Sequence, residues 1–304
     1  MFGIINIDKP SGCTSHDIVA FVRILAGRKI KVGHSGTLDP LATGVLPVFT
    51  GKCTRLIQYI ALDNKEYIFT ADLSFKTDSA DIDGKVIERF SSTAEPTEDE
   101  LKDVAINFVG HIKQKAPMFS AVSINGTRLY KLARQGKVVE RPFRDVEIHS
   151  LKLLNYDYPK VTFKVSCSRG TYVRTLAEDI GASLNLGGCI VALRRTYSGG
   201  LSEKTSITPF ELISRYIKTG TEDIFSSFET VFSDCSTCIV TEKTVSLIKN
   251  GRKITEEDVK YIKNNETDSE INNRLLVFSE DGSLVAMYKK ETDSGLLAAE
   301  KVLL

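Results

Sequence analysis

Apolar and polar positions repeat along this chain with two periods. FGIINIDKP near the N-terminus is a short apolar run and predicts a strand. Ile18, Phe21, Val22 and Leu25 then recur at helical spacing. Thr14 predicts the N-cap of that helix, Asp17 the acid of a capping box three residues on, and Gly27 the end. In KEYIFTADLSF (65–75), Tyr67, Phe69, Ala71, Leu73 and Phe75 fall on one face of a strand. Asp83-Gly84 predicts a tight turn into another short strand. Residues 97–109 predict a helix with Leu101, Val104, Ala105 and Phe108 on one side. VTFKVSC (161–167) alternates again, and SRGTYVRTLAEDIGASL passes from that strand into a helix. After about residue 200 the texture turns polar and loop-rich. Short strands return from about Ile239, and RLLVFSEDGSLVAMYKK reads as two strands joined across Asp281-Gly282. The change of texture predicts two domains, 1–235 and 236–304.

Two segments depart from these periods. GHSGTLDPLATGVLP (33–47) sets one carboxylate, Asp39, among Leu38, Leu41, Val45 and Leu46, punctuated by glycines and prolines. Asp39 reads as the cap of a single helical turn, with Pro40 at its first position and Gly44 at its end. A carboxylate so placed is either a helix cap or, if an arginine keeps it ionised, a nucleophile or base. FSAVSINGTRLYKLARQGKVVERPFRD (119–145) holds an Asn-Gly turn at 125–126 and a short basic amphipathic stretch. It reads as a long excursion between core strands, and excursions of that length are functional or disordered.

The totals change this picture little. The chain has 304 residues, 42% hydrophobic and 26% charged, with a net charge of +1. Those are the proportions of an ordinary globular protein. No apolar run reaches membrane-spanning length, and no export signal opens the sequence. The six cysteines lack framework spacing, so reduced thiols are expected. Charge distribution is more informative. Residues 111–145 carry eight Lys or Arg against Glu140 and Asp145, and residues 1–60 carry seven against Asp8, Asp17 and Asp39. Such a face is either a polyanion-binding footprint or a set of solvated lysines. Several chemistries find no support: GxGxxG, GxxxxGK[ST] and GxSxG are all missing. Cys235-Ser-Thr-Cys238 is a lone CxxC and reads as part of a linker. Ser79–Gly84 fails as a calcium loop because Phe90 stands where the twelfth ligand belongs.

GHSGTLDPLATGVLP closely resembles the catalytic motif of the TruB family of tRNA pseudouridine synthases. NIDKPSGCTSHD (6–17) is similar to the family's N-terminal Lys-Pro motif, KEY (65–67) to its strand tyrosine, SRGTYVRTLAEDIG (168–181) to its Gly-Thr-Tyr-x-Arg-Thr motif, and LRR (193–195) to the segment that closes the site. The resemblance implies Asp39 as the catalytic aspartate. Tyr67 would stack on the target base and lie near its departing proton. Arg174 would pair with Asp39, holding it ionised and aimed. Tyr172 and Leu193 would line the pocket, His34 would support the opened RNA loop, and Lys9 and Pro10 would buttress the pocket wall. The implied fold is α+β, with a mixed, largely antiparallel sheet and a small C-terminal PUA-like β-barrel. The 119–145 excursion sits where the family grips RNA. The implied reaction isomerises uridine to pseudouridine at position 55, in the T-arm loop of tRNA, with no cofactor and no metal. The implied enzyme is a cytoplasmic monomer. Two alternatives stay open: a guide-RNA-dependent relative acting on ribosomal RNA, and a non-catalytic RNA-binding or tRNA-folding factor. Glu256, Glu257, Asp258, Glu266, Asp268 and Glu270 make the C-terminal region acidic, which sets its contribution to tRNA affinity in doubt.

Overall fold

The computed structural model describes residues 1–60, 64–91, 95–120, 122–124, 126–137, 139–221, 223–263, 273–290 and 297–304. Asn125, Glu266, Asp268 and Glu270 lie outside them. In chain order the first half holds β1 (Gly3–Lys9), α1 (Ser15–Ala26), β2 (Val32–His34), β3 (Thr43–Thr50), β4 (Lys65–Asp72), β5 (Phe75–Thr77), β6 (Val86–Arg89), α2 (Glu98–Asn107) and β7 (Gly110–Lys115). The basic excursion follows as β8 (Ser123–Ile124), β9 (Thr127–Arg128) and α3 (Leu129–Arg134). Next come β10 (Phe143–Asp157), β11 (Lys160–Cys167), α4 (Val173–Ser183), β12 (Cys189–Ser198), β13 (Leu201–Ser202), α5 (Pro209–Thr219) and α6 (Phe228–Val231). The C-terminal part adds β14 (Ser236–Val240), α7 (Glu242–Lys249), β15 (Val259–Lys263), β16 (Arg274–Ser279), β17 (Leu284–Lys290) and β18 (Leu297–Val302).

The capping box read from sequence on the first helix forms as expected, with Thr14 and Asp17 on α1. Thr97 with Glu100 makes another on α2, which the sequence reading did not name. The strand predicted over 65–75 divides: β4 ends at Asp72, whose carboxylate accepts from the Ser74 N–H and hydroxyl, and β5 begins at Phe75. A side chain that bonds its own backbone two residues on turns the chain there.

Among the described residues, the main sheet runs β1-β3-β12-β4-β11-β10-β7, with β2 on β3 and β13 on β12. Its pairings are antiparallel except β3 with β12, which is parallel. The fold is therefore α+β with a mixed, largely antiparallel sheet. Alternating residues of β4 and β11 fill the core, where Phe69 and Phe163 stack with ring centroids 5.6 Å apart. Leu176, Ala177 and Ile180 of α4 bury against the same core. A second apolar cluster joins Ile4, Val45, Phe49 and Leu56 to Leu276, Leu284, Met287 and Leu303, so the C-terminal sheet shares a core with the main one. The Lys52 ammonium donates to the Leu304 carbonyl, and Arg55 donates to the Val302 carbonyl (3.0 Å).

The C-terminal sheet runs β15-β14-β16-β17-β18. The expected barrel is not closed among the described residues. Among the described residues, the Ile254–Leu297 bridge joins the approach to β15 with β18. Cys235 and Cys238 are both buried rather than in an open linker, and burial pushes their thiols up to about 11 and about 12. No helix among the described residues is long and apolar enough to cross a membrane.

Candidate active site

The helical turn expected at Asp39 does not form. Residues 35–42 adopt no regular element, and the Ala42 N–H instead donates to the Asp39 carbonyl (3.0 Å), closing a tight turn. Gly44 lies inside β3 with φ +100°, where a Cβ would sit 2.2 Å from the Arg195 carbonyl oxygen. That glycine serves the close approach of β3 to β12, so it cannot end a helix.

The chain on both sides of Asp39 is bonded in place. The Ser15 hydroxyl, at the start of α1, accepts from the Leu38 N–H (2.8 Å) and donates to the Leu38 carbonyl (3.0 Å). The Pro40 carbonyl accepts from the Gly12 N–H (2.9 Å) and from the Lys9 ammonium (3.3 Å). Lys9 is wholly buried, also donates to the Pro10 and Cys13 carbonyls, and burial pushes its ammonium below its ordinary value. Arg195 fastens the two arms of the loop, with Nε on the Val45 carbonyl (2.7 Å) and Nη2 on the Gly36 carbonyl (3.0 Å). A loop fastened at several backbone groups on both sides of one residue can hold that side chain in a fixed direction.

Arg174, in the first turn of α4, fixes the carboxylate. Its Nε lies 2.9 Å from Asp39 Oδ2 as an ion pair, and its Nη2 donates to Asp39 Oδ1 (3.2 Å), so the guanidinium meets both carboxylate oxygens. Nη2 also donates to the Phe119 carbonyl (2.8 Å), while Nη1 donates to the Ser79 carbonyl (2.9 Å) and to Asp81 Oδ2 (3.3 Å). Each terminal nitrogen of the guanidinium thus serves two acceptors. The Arg174 side chain is 5% exposed and that of Asp39 33%, so the acid keeps an open face. Asp81 is buried. Burial pushes its carboxyl up, against hydrogen bonding from Ser79 and the Arg174 charge.

The open face of Asp39 looks into a cavity of about 430 Å³. Tyr67 from β4, Leu193 from β12, and Tyr172 and Arg174 from the start of α4 line it with Asp39. Five of the six residues picked from sequence therefore converge. His34 does not line this cavity. It sits on β2 with a buried, unpartnered Nδ1 among the described residues, and burial, with the Arg195 charge, pushes its imidazole down. The basic excursion supplies part of the wall through Phe119, Ser120 and Tyr130. Lys113, Lys115, Arg128, Lys131, Arg134, Lys137 and Arg144 around it are all exposed.

Sequence reasoning missed the supports. Asp81 and Ser79 lie in the stretch rejected as a calcium loop. Gln114 is buried on β7 and brackets the Tyr172 backbone, accepting from its N–H (2.9 Å) and donating to its carbonyl (3.4 Å). Arg195 was visible as the last residue of LRR, yet nothing local marks it as buried. Ser15 carried a signal only as a helix-start residue.

Residues 23–173 match the family model described as TruB family pseudouridylate synthase (N terminal domain), and residues 174–228 match the tRNA pseudouridylate synthase B C-terminal domain. The chain is 42% identical to the tRNA pseudouridine synthase B of Geotalea uraniireducens (strain Rf4), over 95% of this chain and 92% of that one. It is 37% identical to that of Clostridium novyi (strain NT), over the whole of both. Among solved structures it is similar to a chain in the crystal structure of a Cbf5-Nop10-Gar1 complex, with a TM-score of 0.72 and 26% identity over 100% of this chain and 85% of that one. The lone acid on a clamped loop, its far-sequence arginine and these likenesses agree: the chain belongs to the TruB family of pseudouridine synthases.

Proposed function

We propose that this tRNA pseudouridine synthase acts on uridine 55 in the T-arm loop of tRNA, with Asp39 as its catalytic carboxylate. The observation that carries the reading is the Asp39–Arg174 pair facing an aromatic-walled cavity of about 430 Å³. Isomerisation breaks the C1′–N1 bond, turns the uracil and forms a C1′–C5 bond. A base inside folded RNA is out of reach, so its nucleotide is swung into the cavity. Tyr67 stacks on the base, and such stacking contributes about 1–3 kcal/mol. Tyr172 and Leu193 complete the walls and keep the detached uracil from leaving. Asp39 either attacks C1′ or assists loss of the 2′ proton, and Arg174 fixes the direction of its oxygens. His34 lies outside the cavity and in this reading supports the opened RNA loop. The exposed cations of the excursion contact phosphates, which makes binding salt-dependent.

The same reading assigns residues 1–235 to catalysis and 236–304 to RNA binding, in a cytoplasmic monomer that uses no cofactor and no metal. The structural likeness to Cbf5 chains supports a second reading, a guide-RNA-dependent relative acting on ribosomal RNA. The higher identity to tRNA enzymes, 42% against 26%, favours the first. The test is incubation with an unmodified T-arm hairpin, followed by mapping of pseudouridine. New pseudouridine at the position equivalent to 55 is expected. An unchanged hairpin, with modification only of a guide-paired RNA, would overturn the proposal.

A further inference from the structure

Arg195 heads the wholly buried side chains in size, and arginine keeps its charge at any pH a protein survives. It is compensated differently from its neighbours. Arg174 faces Asp39 and Asp81, and Arg194 faces Asp8 and Glu203. Arg195 has no carboxylate partner among the described residues. Among the described residues it donates to the Val45 and Gly36 carbonyls, and its Nη1 is buried without a hydrogen-bond partner. A buried cation without a counter-charge is expensive. The surroundings indicate what it acts on. Arg195 and Tyr67 are direct partners across β12 and β4, which sets both side chains on one face of the sheet. The Cβ position of Gly36, a cavity-lining residue, is 3.4 Å from Arg195 Nη1. The unshared end of the guanidinium thus lies just behind the cavity wall that Tyr67 forms.

We propose that Arg195 is a positioning residue that steadies the Tyr67 phenol oxygen and favours the phenolate form in which Tyr67 takes the proton from uracil C5. The assignment rests on the isomerase reading above. After the C1′–C5 bond forms, C5 still carries its hydrogen. That proton passes to the Tyr67 oxygen, and the C–H electron pair returns to the ring. Tyr67 enters the step as phenolate, its proton given earlier to water, and leaves it as phenol. N1 takes up one proton, which closes the count. The groups facing Tyr67 are Arg195 from β12, Cys167 from β11, Asp39 from the loop, and Lys65, Tyr130, Tyr172 and Arg174 around the cavity. Burial is the main influence and pushes the phenol up; the Arg195 charge is the largest opposing one, and Cys167 and Asp39 side with burial. Without Arg195 the phenolate becomes rarer.

The experiment compares wild type, Arg195→Lys and Arg195→Gln on T-arm transcripts carrying uridine or 5-deuterouridine, across pH. Loss of general-base help slows a reaction by about 10²–10⁴-fold. A slowdown within that range is expected for Arg195→Gln and a smaller one for Arg195→Lys. Both variants should show a C5-deuterium isotope effect larger than wild type, and the alkaline rise of the rate should move to higher pH. Replacing Tyr67 of the Arg195→Lys protein with difluorotyrosine, a more acidic phenol, should restore part of the rate. A merely structural role, slackening the Asp39 loop, would slow both isotopologues equally and leave the pH profile in place; that result overturns the proposal. If Arg195→Gln does not fold, Arg195→Lys carries the same outcomes alone. A wild-type enzyme inert on the transcript would remove the isomerase reading, and this assignment with it, whereas an active wild type with isotope-insensitive variants removes this assignment alone.

Discussion

The Asp39 loop and the basic excursion both put charge beside one cavity, in opposite ways. Around Asp39, the charged side chains of Lys9, Asp81, Arg174 and Arg195 are buried, and each is tied by hydrogen bonds. In and beside the excursion Lys113, Lys115, Arg128, Lys131, Arg134, Lys137 and Arg144 are exposed, while Arg141 is half-buried with Nη1 on the Ala116 carbonyl. Desolvated charge is strong, direction-dependent and little screened; exposed charge is weak singly and falls away with salt. The first arrangement suits bond-making at one atom, and the second suits holding a polyanion whose exact seating is fixed elsewhere.

Substitutions can break this contrast, beginning with the largest effect. Asp39→Asn should abolish isomerisation, by about 10⁴-fold or more in single-turnover rate, while tRNA retention on a filter is unchanged. Activity surviving in that variant would move the chemistry elsewhere. Arg174→Met leaves Asp81 buried without its cation, and breaking such a pair costs about 3–5 kcal/mol, to be read from urea unfolding. Ser15→Ala strips both bonds from the Leu38 backbone. Stability should fall by about 1–3 kcal/mol, and the rate should fall at unchanged tRNA affinity. On the excursion side, Lys131→Ala with Arg134→Ala should weaken tRNA binding at every sequence and lower the salt slope by about one unit per lost phosphate contact. The rate at saturating tRNA should hold; if it drops with the loop variants, the contrast fails.

The smallest effect is a pH dependence. Burial pushes Glu178 up to about 7, with Asp179 adding to it, and pushes Asp179 up to about 6. The folded state therefore binds protons more tightly than the unfolded chain between about pH 4 and 7. Their contribution is full below that window and is lost as pH rises through it. Unfolding midpoints should be higher at pH 5.5 than at pH 7.5 from this source, and Glu178→Gln with Asp179→Asn should flatten the slope.

The sequence declared what repeats or punctuates. The capping box of Thr14 and Asp17, the alternation of β4 and β11 and the Asp281-Gly282 turn depend on neighbours a few positions away. Asp39, Tyr67, Tyr172, Arg174 and Leu193 were reached through ordered motifs, which record a shared arrangement without showing its geometry. Asp81, Gln114 and Arg195 stayed hidden because their meaning comes from partners 58 to 159 positions distant. Gly44 misled for the same reason: locally it resembles a helix end, and only the strand brought against it from residue 195 shows otherwise.

The parallel seam between β3 and β12 has a consequence for biosynthesis. It pairs Thr43 and Gly44 with Arg194 and Arg195, across some 150 positions of chain. Synthesis delivers the N-terminal end first, and distant pairings form slowly. A nascent chain therefore carries its acid long before the arginines that fasten it have been made, and the enzyme matures only when about two-thirds of the polypeptide has emerged.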